Sequence, residues 1–360
     1  MRIALESQEL LAHRLSGVGR YAGELGRCLT ALEPGTDQVL PLSRIGKILR
    51  IRRNGLAWPT WSAPPVWPLK HYDILHLTSD RDMAVPGRPK RIVTVHDLWE
   101  HAQVARGDLP GHTRSWERLC GLLASADATI CVSAHTQRDL RRIFPQVTGP
   151  STVIHHGASP VFTRAADPDI ARMRRDLLGG IADYLLYVGH FHERKNIPRM
   201  IAAYATLPPE STPPLVLAGN TDAQRTADIR ALARRLNIAD HRLICLDYLG
   251  DPDLVALISG ARGVLFVPLF EGFGLPLVEA YRCGAPVVVA ATSSLVELAH
   301  PASPQVDPEA IDSIAGGITR LLAQVTTPEL RASLIAHGQR FTWERCARET
   351  LAFYRSVLGG

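Results

Sequence analysis

The sequence lacks the features that would mark a membrane span, a disulfide scaffold or a nucleic-acid binder. Its six cysteines, Cys28, Cys120, Cys131, Cys245, Cys283 and Cys346, are far apart in the chain. That spacing excludes a zinc knuckle or a disulfide framework and suits a reducing cytosol. No apolar run approaches the roughly 18 residues needed to cross a bilayer; the longest are Val264 to Leu269 and Ala285 to Ala291. Glu6 interrupts the first apolar residues, so a secretory leader is not expected. Neither charge sign dominates, since 40 Lys and Arg against 35 Asp and Glu leave only +5, less lopsided than a nucleic-acid binder. What is present is 360 residues at 46% hydrophobic content, enough for two ordinary domains with separate cores.

Short β-branched runs alternate with longer helical patterns. Asp73 to Leu77, Arg91 to Val95, Ala128 to Val132 and Thr152 to Ile154 read as buried parallel strands. A second set follows with Tyr184 to Val188, Leu215 to Ala218, Arg242 to Leu246, Gly263 to Val267 and Pro286 to Val289. Helical patterns such as Ile229 to Leu236 and Asp253 to Ser259 separate them. Strand then helix, twice over, predicts an α/β chain with two doubly wound sheets. The segment Phe162 to Gly180, with its Ala-Ala-Asp-Pro and Gly179-Gly180, is the expected boundary, giving domains at 1–165 and 166–341. Trp343, Cys346, Ala347, Leu351, Phe353 and Tyr354 predict an amphipathic helix over Thr342 to Leu358, expected to pack back on the first domain.

The strongest local signal is Phe270-Glu271-Gly272-Phe273-Gly274-Leu275-Pro276-Leu277-Val278-Glu279, just after a predicted strand. Pro276 suits the first turn of a helix, so Gly272 to Leu275 would form the loop leading into it. Free backbone N–H groups then converge at a positive dipole end, a site suited to phosphate. Glu279 falls one turn into that helix, where it can accept two hydrogen bonds from a ribose diol. Read blandly, the same residues are a strand-to-helix turn carrying two glutamates. Arg194-Lys195 follows the first strand of the second half, at the carboxyl end where parallel sheets bind ligands. Two cations there would neutralise charge on a departing diphosphate without a metal. The bland reading is a solvated pair at a helix start, where cations oppose the dipole.

Glu271 and Glu279 in this setting resemble the signature of the family 4 glycosyltransferases, which are retaining GT-B enzymes. The resemblance extends through Ser16-Gly17-Val18-Gly19-Arg20-Tyr21, Thr94-Val95-His96-Asp97-Leu98, Cys131-Val132-Ser133, Val153-Ile154-His155-His156-Gly157, Tyr187 to Asn196 and Phe341-Thr342-Trp343, all in the family's order. It implies two Rossmann-like domains facing across a cleft, the first on the acceptor side and the second binding a nucleotide sugar. His96, Arg194, Lys195 and Glu271 are then the catalytic residues, with Lys195 matching the family's diphosphate-binding lysine. Gly189, Tyr248, Leu249, Gly272, Phe273, Gly274, Leu275 and Glu279 line the donor. Gly17, Gly19, Arg20 and Tyr21 lie on the acceptor or diphosphate side. One departure stands out: many members carry Arg directly after the glycine at position 189, and this chain has His190, leaving Arg194 to compensate.

Other patterns are weaker. His96-Asp97 ends a predicted strand; the same dipeptide serves metal-dependent phosphohydrolases, but their further ligands are not found here. Gly17-Val18-Gly19-Arg20-Tyr21-Ala22 fits a dinucleotide fingerprint in letters only, because about eleven residues separate it from Leu5 where none should; a flexible loop and helix start is expected instead. Asp80-Arg-Asp82, Asp167-Pro-Asp169 and Asp251-Pro-Asp253 each match a manganese-binding Asp-x-Asp. Three matches in one chain show how common the pattern is; Asp251-Pro252-Asp253 reads as a helix cap, and no metal or other cofactor is assigned.

Residues 43–70 carry Arg44, Lys47, Arg50, Arg52, Arg53 and Lys70 among Trp58, Trp61 and Trp67, with no acid between Asp37 and Asp73. Cations and tryptophans together suit an anionic membrane surface; the alternative is a surface loop with its tryptophans folded inward. The family resemblance, with Glu193-Arg194-Lys195-Asn196 similar to mannosyl- and rhamnosyltransferases, implies transfer of a hexose, GDP-mannose being the first donor considered, to a saccharide or lipid-linked saccharide. The place is the cytoplasm, at the inner face of its membrane if the basic stretch docks there. A sugar-nucleotide epimerase and a non-catalytic nucleotide-sugar binder are the competing readings.

Overall fold

The computed structural model describes residues 1–7, 9, 17–32, 38–42, 71–83, 85, 87–109, 113–219 and 223–359, with the backbone alone for 38–42. The chain divides into two compact units, Met1–Gly157 together with Phe341–Gly360, and Ala158–Arg340. Elements are numbered over the described residues.

The first unit holds β1 (Arg2–Glu6), α1 (Gly17–Leu32), β2 (Gln38–Leu42), β3 (Ile74–Leu77), β4 (Lys90–Val95), α2 (Trp99–Arg106), α3 (Arg114–Ala124), β5 (Ala128–Cys131), α4 (Ala134–Ile143), β6 (Ser151–Val153) and α13 (Trp343–Gly359). Its sheet is parallel, in the order β2-β1-β3-β4-β5-β6. β3 and β5 are buried at every residue, as strands covered on both faces must be. That is why their sequences run apolar without alternation. Helices are started by side-chain caps where the sequence offers them: Thr113 accepts from the Trp116 N–H and Ser133 from the Thr136 N–H.

The second unit contains α5 (Asp167–Leu178), β7 (Leu185–Val188), α6 (Ile197–Ala205), β8 (Leu215–Ala218), α7 (Ala223–Arg235), β9 (Leu243–Leu246), α8 (Asp251–Gly260), β10 (Gly263–Phe266), α9 (Leu275–Arg282), β11 (Val287–Ala290), α10 (Leu295–Leu298), β12 (Gln305–Val306), α11 (Ile311–Ala323) and α12 (Pro328–Gly338). Its sheet, also parallel, runs β12-β11-β10-β7-β8-β9. The order changes direction at β7, so β7 and β10 lie side by side with a crevice at their carboxyl ends.

The structure moves the expected boundary. The segment Phe162 to Gly180 lies inside the second unit: α5 forms within it and packs on α8. Ala165 N–H donates to Ser259 Oγ, Arg164 donates to the Ser259 carbonyl, and Arg282 donates to the Phe162 carbonyl. These bonds hold 158–165 on the second unit, which therefore begins at Ala158. Phe341 belongs to the first unit. Asp251 is the first residue of α8 behind an N-cap Gly250, not a side-chain cap. Helix α13 buries Trp343, Cys346, Ala347, Thr350, Leu351 and Tyr354 and packs on α1. Gly157 admits this return, because a Cβ there would lie 2.1 Å from the Trp343 nitrogen. Among the described residues, no helix is long and apolar enough to cross a membrane.

A polar thread runs through the apolar core of the first unit. His76 Nδ1 lies 2.5 Å from the Tyr354 hydroxyl and its Nε2 2.6 Å from Thr94 Oγ1, which in turn is 3.0 Å from the Tyr21 hydroxyl. Burial, helped by nearby His96, pushes the His76 pKa down to about 3. An unfolded chain binds a proton at this imidazole once pH drops below about 6.5. Stability is therefore complete above that value and declines as pH falls toward the folded pKa. At pH 5 this group alone is expected to remove about 2 kcal/mol relative to pH 7. Chemical denaturation at the two pH values measures the difference, and His76→Gln is expected to shrink it.

Candidate functional site

In the second unit, the site starts from the adjacent carboxyl ends of β7 and β10. Beyond Val188 the chain turns at Gly189, and the Tyr187 hydroxyl donates to the His190 carbonyl at 2.9 Å. A single 3-10 turn, Glu193–Lys195, follows. It is closed by Asn196, whose backbone is left-handed at φ 62, a conformation asparagine tolerates better than most residues. The buried Asn196 side chain donates to the Val267 carbonyl at 3.0 Å and the Pro308 carbonyl at 2.6 Å. The Leu269 N–H donates to the Arg194 carbonyl at 2.8 Å. The two loops are thereby clipped together, and Lys195 Nζ forms an ion pair with Glu271 Oε1. Both side chains are largely buried, 12% and 8% exposed, and Nζ lies 5.8 Å from the Phe266 ring centroid.

The carboxylate loop is held from beneath. Ser293, itself left-handed at φ 52, accepts the Glu271 N–H on its Oγ at 3.0 Å. Ser294 Oγ is shared between the Glu271 and Phe273 carbonyls, at 3.0 and 2.6 Å. Gly274 is the N-cap of α9 with φ 114, and a Cβ there would press to 2.6 Å on Leu295; no other residue suits this position. Leu275 opens the helix and Pro276 lies in its first turn. Glu271, Gly272, Phe273, Gly274 and Glu279 are all buried. Sequence reasoning had the glycines and acids of this loop but missed Asn196, Tyr187, Ser293 and Ser294. An asparagine directly before a helix and a serine pair between a strand and a helix were the available signals.

Tyr248 and Leu249 lie between β9 and α8 at the edge of the sheet. Tyr248 is 61% exposed, and its strand is two positions from β7, about 10 Å at the usual strand spacing.

In the first unit, Gly17, Gly19, Arg20 and Tyr21 form the opening turns of α1, the expected helix start. Gly17 is exposed and Arg20 half-buried, but Gly19 and Tyr21 are buried. Tyr21, expected on the acceptor or diphosphate side, is only 1% exposed with its hydroxyl bonded to Thr94; it fills the core and cannot reach a ligand there. His96 follows β4 and donates from Nε2 to the Thr78 carbonyl at 2.8 Å. His156 Nε2 lies 3.3 Å from His96 Nδ1. Burial pushes the His96 pKa down, against the Thr78 carbonyl and Asp97, which favour the charged ring. Burial also holds His156 well below the usual histidine range, with His96 and His155 adding to the effect. Glu6, at the end of β1, is fully buried with Oε2 accepting from the Thr78 hydroxyl at 2.9 Å.

The Asp-x-Asp matches serve surface ion pairs: Asp80 with Arg118 at 2.7 Å, Asp167 with Arg164 at 3.0 Å and Asp253 with Arg172 at 3.0 Å. Among the described residues, no group of three His, Cys, Asp or Glu is placed to hold a metal ion. The basic, tryptophan-bearing residues 43–70 lie outside the described residues.

Two six-stranded parallel sheets, one of them carrying paired carboxylates and cations around a glycine-rich helix start, define the GT-B class of glycosyltransferase. Residues 15–161 match the family described as Glycosyltransferase Family 4 and residues 177–341 match Glycosyl transferases group 1; the chain belongs to this family. The O-antigen chain mannosyltransferase B of Escherichia coli is 33% identical over 175 residues, which are 48% of this chain and 45% of that protein. The match thus spans under half of that relative's length. Sucrose-phosphate synthase from Thermosynechococcus elongatus has the same fold, with TM-score 0.76 and 21% identity over 99% of both chains. So does Anabaena HepE, solved in complex with UDP and glucose, with TM-score 0.73 and 17% identity over 99% of this chain and 100% of that one.

Asn196→Gly keeps the left-handed backbone but leaves the Val267 and Pro308 carbonyls without this donor, an expected loss of about 1–3 kcal/mol. Asn196→Ala adds about 1 kcal/mol for the conformation. Denaturation curves of both variants test this order.

Proposed function

We propose that the chain transfers a hexose from a nucleotide sugar, with retention of anomeric configuration, to a saccharide or lipid-linked saccharide in surface polysaccharide synthesis. The observation that carries this reading is the buried Lys195–Glu271 pair beside the amino end of α9. A diphosphate arriving there meets the Lys195 ammonium, Arg194 and the positive dipole end of α9. Once Lys195 turns to the phosphates, Glu271 becomes an acceptor for donor-sugar hydroxyls. Glu279, one turn further, takes the ribose diol. Tyr248 and Leu249 at the sheet edge suit the base, at the distance a nucleotide extends from its phosphates.

Charge grows on the diphosphate as the glycosidic bond breaks, and Lys195 with the helix dipole stabilises it more in the transition state than in the ground state. This scheme works without a metal. His96, in the first unit, is assigned to the sugar side by its place in the family motif. Mannose as the sugar, and hence GDP-mannose as the donor, is supported by the mannosyltransferase relative. The acceptor and the membrane surface rest on the family's work and on residues 43–70, where each Lys or Arg near an anionic surface contributes about 1 kcal/mol.

Lys195→Ala is expected to lower turnover by on the order of 10²-fold, while the parent keeps its activity in EDTA. Glu279→Ala is expected to weaken donor binding by about 1.5–3 kcal/mol, roughly 10- to 150-fold in Kd. Calorimetric titration and steady-state kinetics separate the two effects; an EDTA-abolished parent activity overturns the metal-free scheme.

Replacing Arg44, Lys47, Arg50, Arg52 and Arg53 by Ser is expected to abolish sedimentation with anionic liposomes and slow transfer to a lipid-linked acceptor. Donor affinity should be unchanged. Unaltered liposome binding assigns the stretch to an ordinary surface loop.

A further inference from the structure

We infer that His156 is a positioning residue that fixes His96 in a single neutral tautomer. The proton assignment follows from the partners. The Thr78 carbonyl can only accept, so the 2.8 Å contact places a proton on His96 Nε2. In the neutral ring, Nδ1 is then a lone pair. His156 Nε2, 3.3 Å away, must supply the N–H that meets it. Both nitrogens of His96 are thereby engaged.

His156 is itself held in place. Its ring centroid lies 4.7 Å from that of Tyr21 and 5.6 Å from that of Trp343. Tyr21 is anchored on Thr94, and the Trp343 backbone is pressed against Gly157, the residue after His156. At the other end, the Thr78 hydroxyl bonds both the carbonyl and the carboxylate of Glu6. A chain of hydrogen bonds from β1 through the ends of β3 and β4 to the segment after β6 thus sets one imidazole.

The consequence is chemical. Protonating His96 would put a second N–H on Nδ1, directly facing the N–H of His156, so the cation forms only if that contact is broken. The titratable groups around His96 are Tyr21 from α1, His76 from β3, Asp97 beside it, Glu6 through Thr78, and His155 and His156 after β6. Asp97 and the Thr78 carbonyl favour the cation, and the His156 donor opposes it. On the transferase reading above, His96 therefore meets the donor sugar as a neutral ring, and the acid side of the pH profile owes nothing to its titration.

Ring-nitrogen NMR of the 15N-histidine-labelled chain tests the assignment without any assay of transfer. The parent is expected to show His96 with its proton on Nε2 and no titration near pH 6. His156→Gln, which keeps an N–H within reach, should preserve that state. His156→Leu, which keeps bulk but no donor, should raise the His96 pKa by about one pH unit or more and add an acid limb to the rate profile that the Gln variant lacks. A proton on Nδ1 in the parent spectrum overturns the inference even if the Leu variant does not fold, and so does a Leu variant whose His96 titrates like the parent. The expected spectra from a parent that transfers no sugar would overturn the transferase reading and leave the tautomer assignment standing.

Discussion

A lysine and a glutamate, each costly to bury alone, are buried against one another at the carboxyl ends of two neighbouring strands. Everything else at the ligand edge of the second unit follows from keeping Lys195 and Glu271 in register. The reversal of strand order makes β7 and β10 neighbours. The Leu269–Arg194 backbone bond and the Asn196 side chain then tie the loops that leave them. Breaking such a pair by removing one partner strands a charge away from water, so the arrangement tolerates an exchange of partners far better than a loss. On the proposed function, a sugar nucleotide offers that exchange: it takes the lysine and brings hydroxyls for the glutamate.

The two units hold their candidate site residues in different ways. The second relies on backbone: glycines that let the chain pass close, the amino end of a helix, and two serines that hold the N–H and carbonyls of the loop from behind. In the first, the described edge relies on side chains in the interior, where Glu6, Thr78, His96 and His156 bond in series. Backbone recognition suits phosphate, which presents equivalent oxygens. Imidazoles with a set tautomer suit a partner whose hydroxyls must be met one at a time.

Most of the parallel strands were legible because burial on both faces leaves no alternation, and runs such as Leu215 to Ala218 or Gly263 to Val267 have no other stable place. The glycine loop was legible for a related reason: Gly274 has a conformation that other residues pay to adopt. What was not legible depended on contacts between distant segments. Nothing local marks Asn196 as the link between residues 267 and 308, or Tyr21 as a core residue with a partner in β4. β2 went unread because Pro41 interrupts its run, and β12 because two residues, Gln305–Val306, carry little apolar signal. The stretch read as the domain boundary, with its Ala-Ala-Asp-Pro and paired glycines, proved to be a helix with a proline in its first turn and Gly179 in left-handed conformation at its C-cap, so the same residues that suggested a break between domains mark the ends of a helix.

The return of α13 to the first unit has a consequence for the order in which the protein is made. The second unit is a continuous stretch, complete as a chain segment once Arg340 has been synthesised. The first is not: the hydroxyl that holds His76 belongs to Tyr354, and one of the rings against His156 belongs to Trp343. On the ribosome, where domains emerge amino end first, nearly half the chain precedes the second unit yet must wait for its last helix. During that interval the seat of α13 on α1, including Tyr21 and Cys28, has no cover. The first unit thus lacks an element that its core needs while the second already has all of its own.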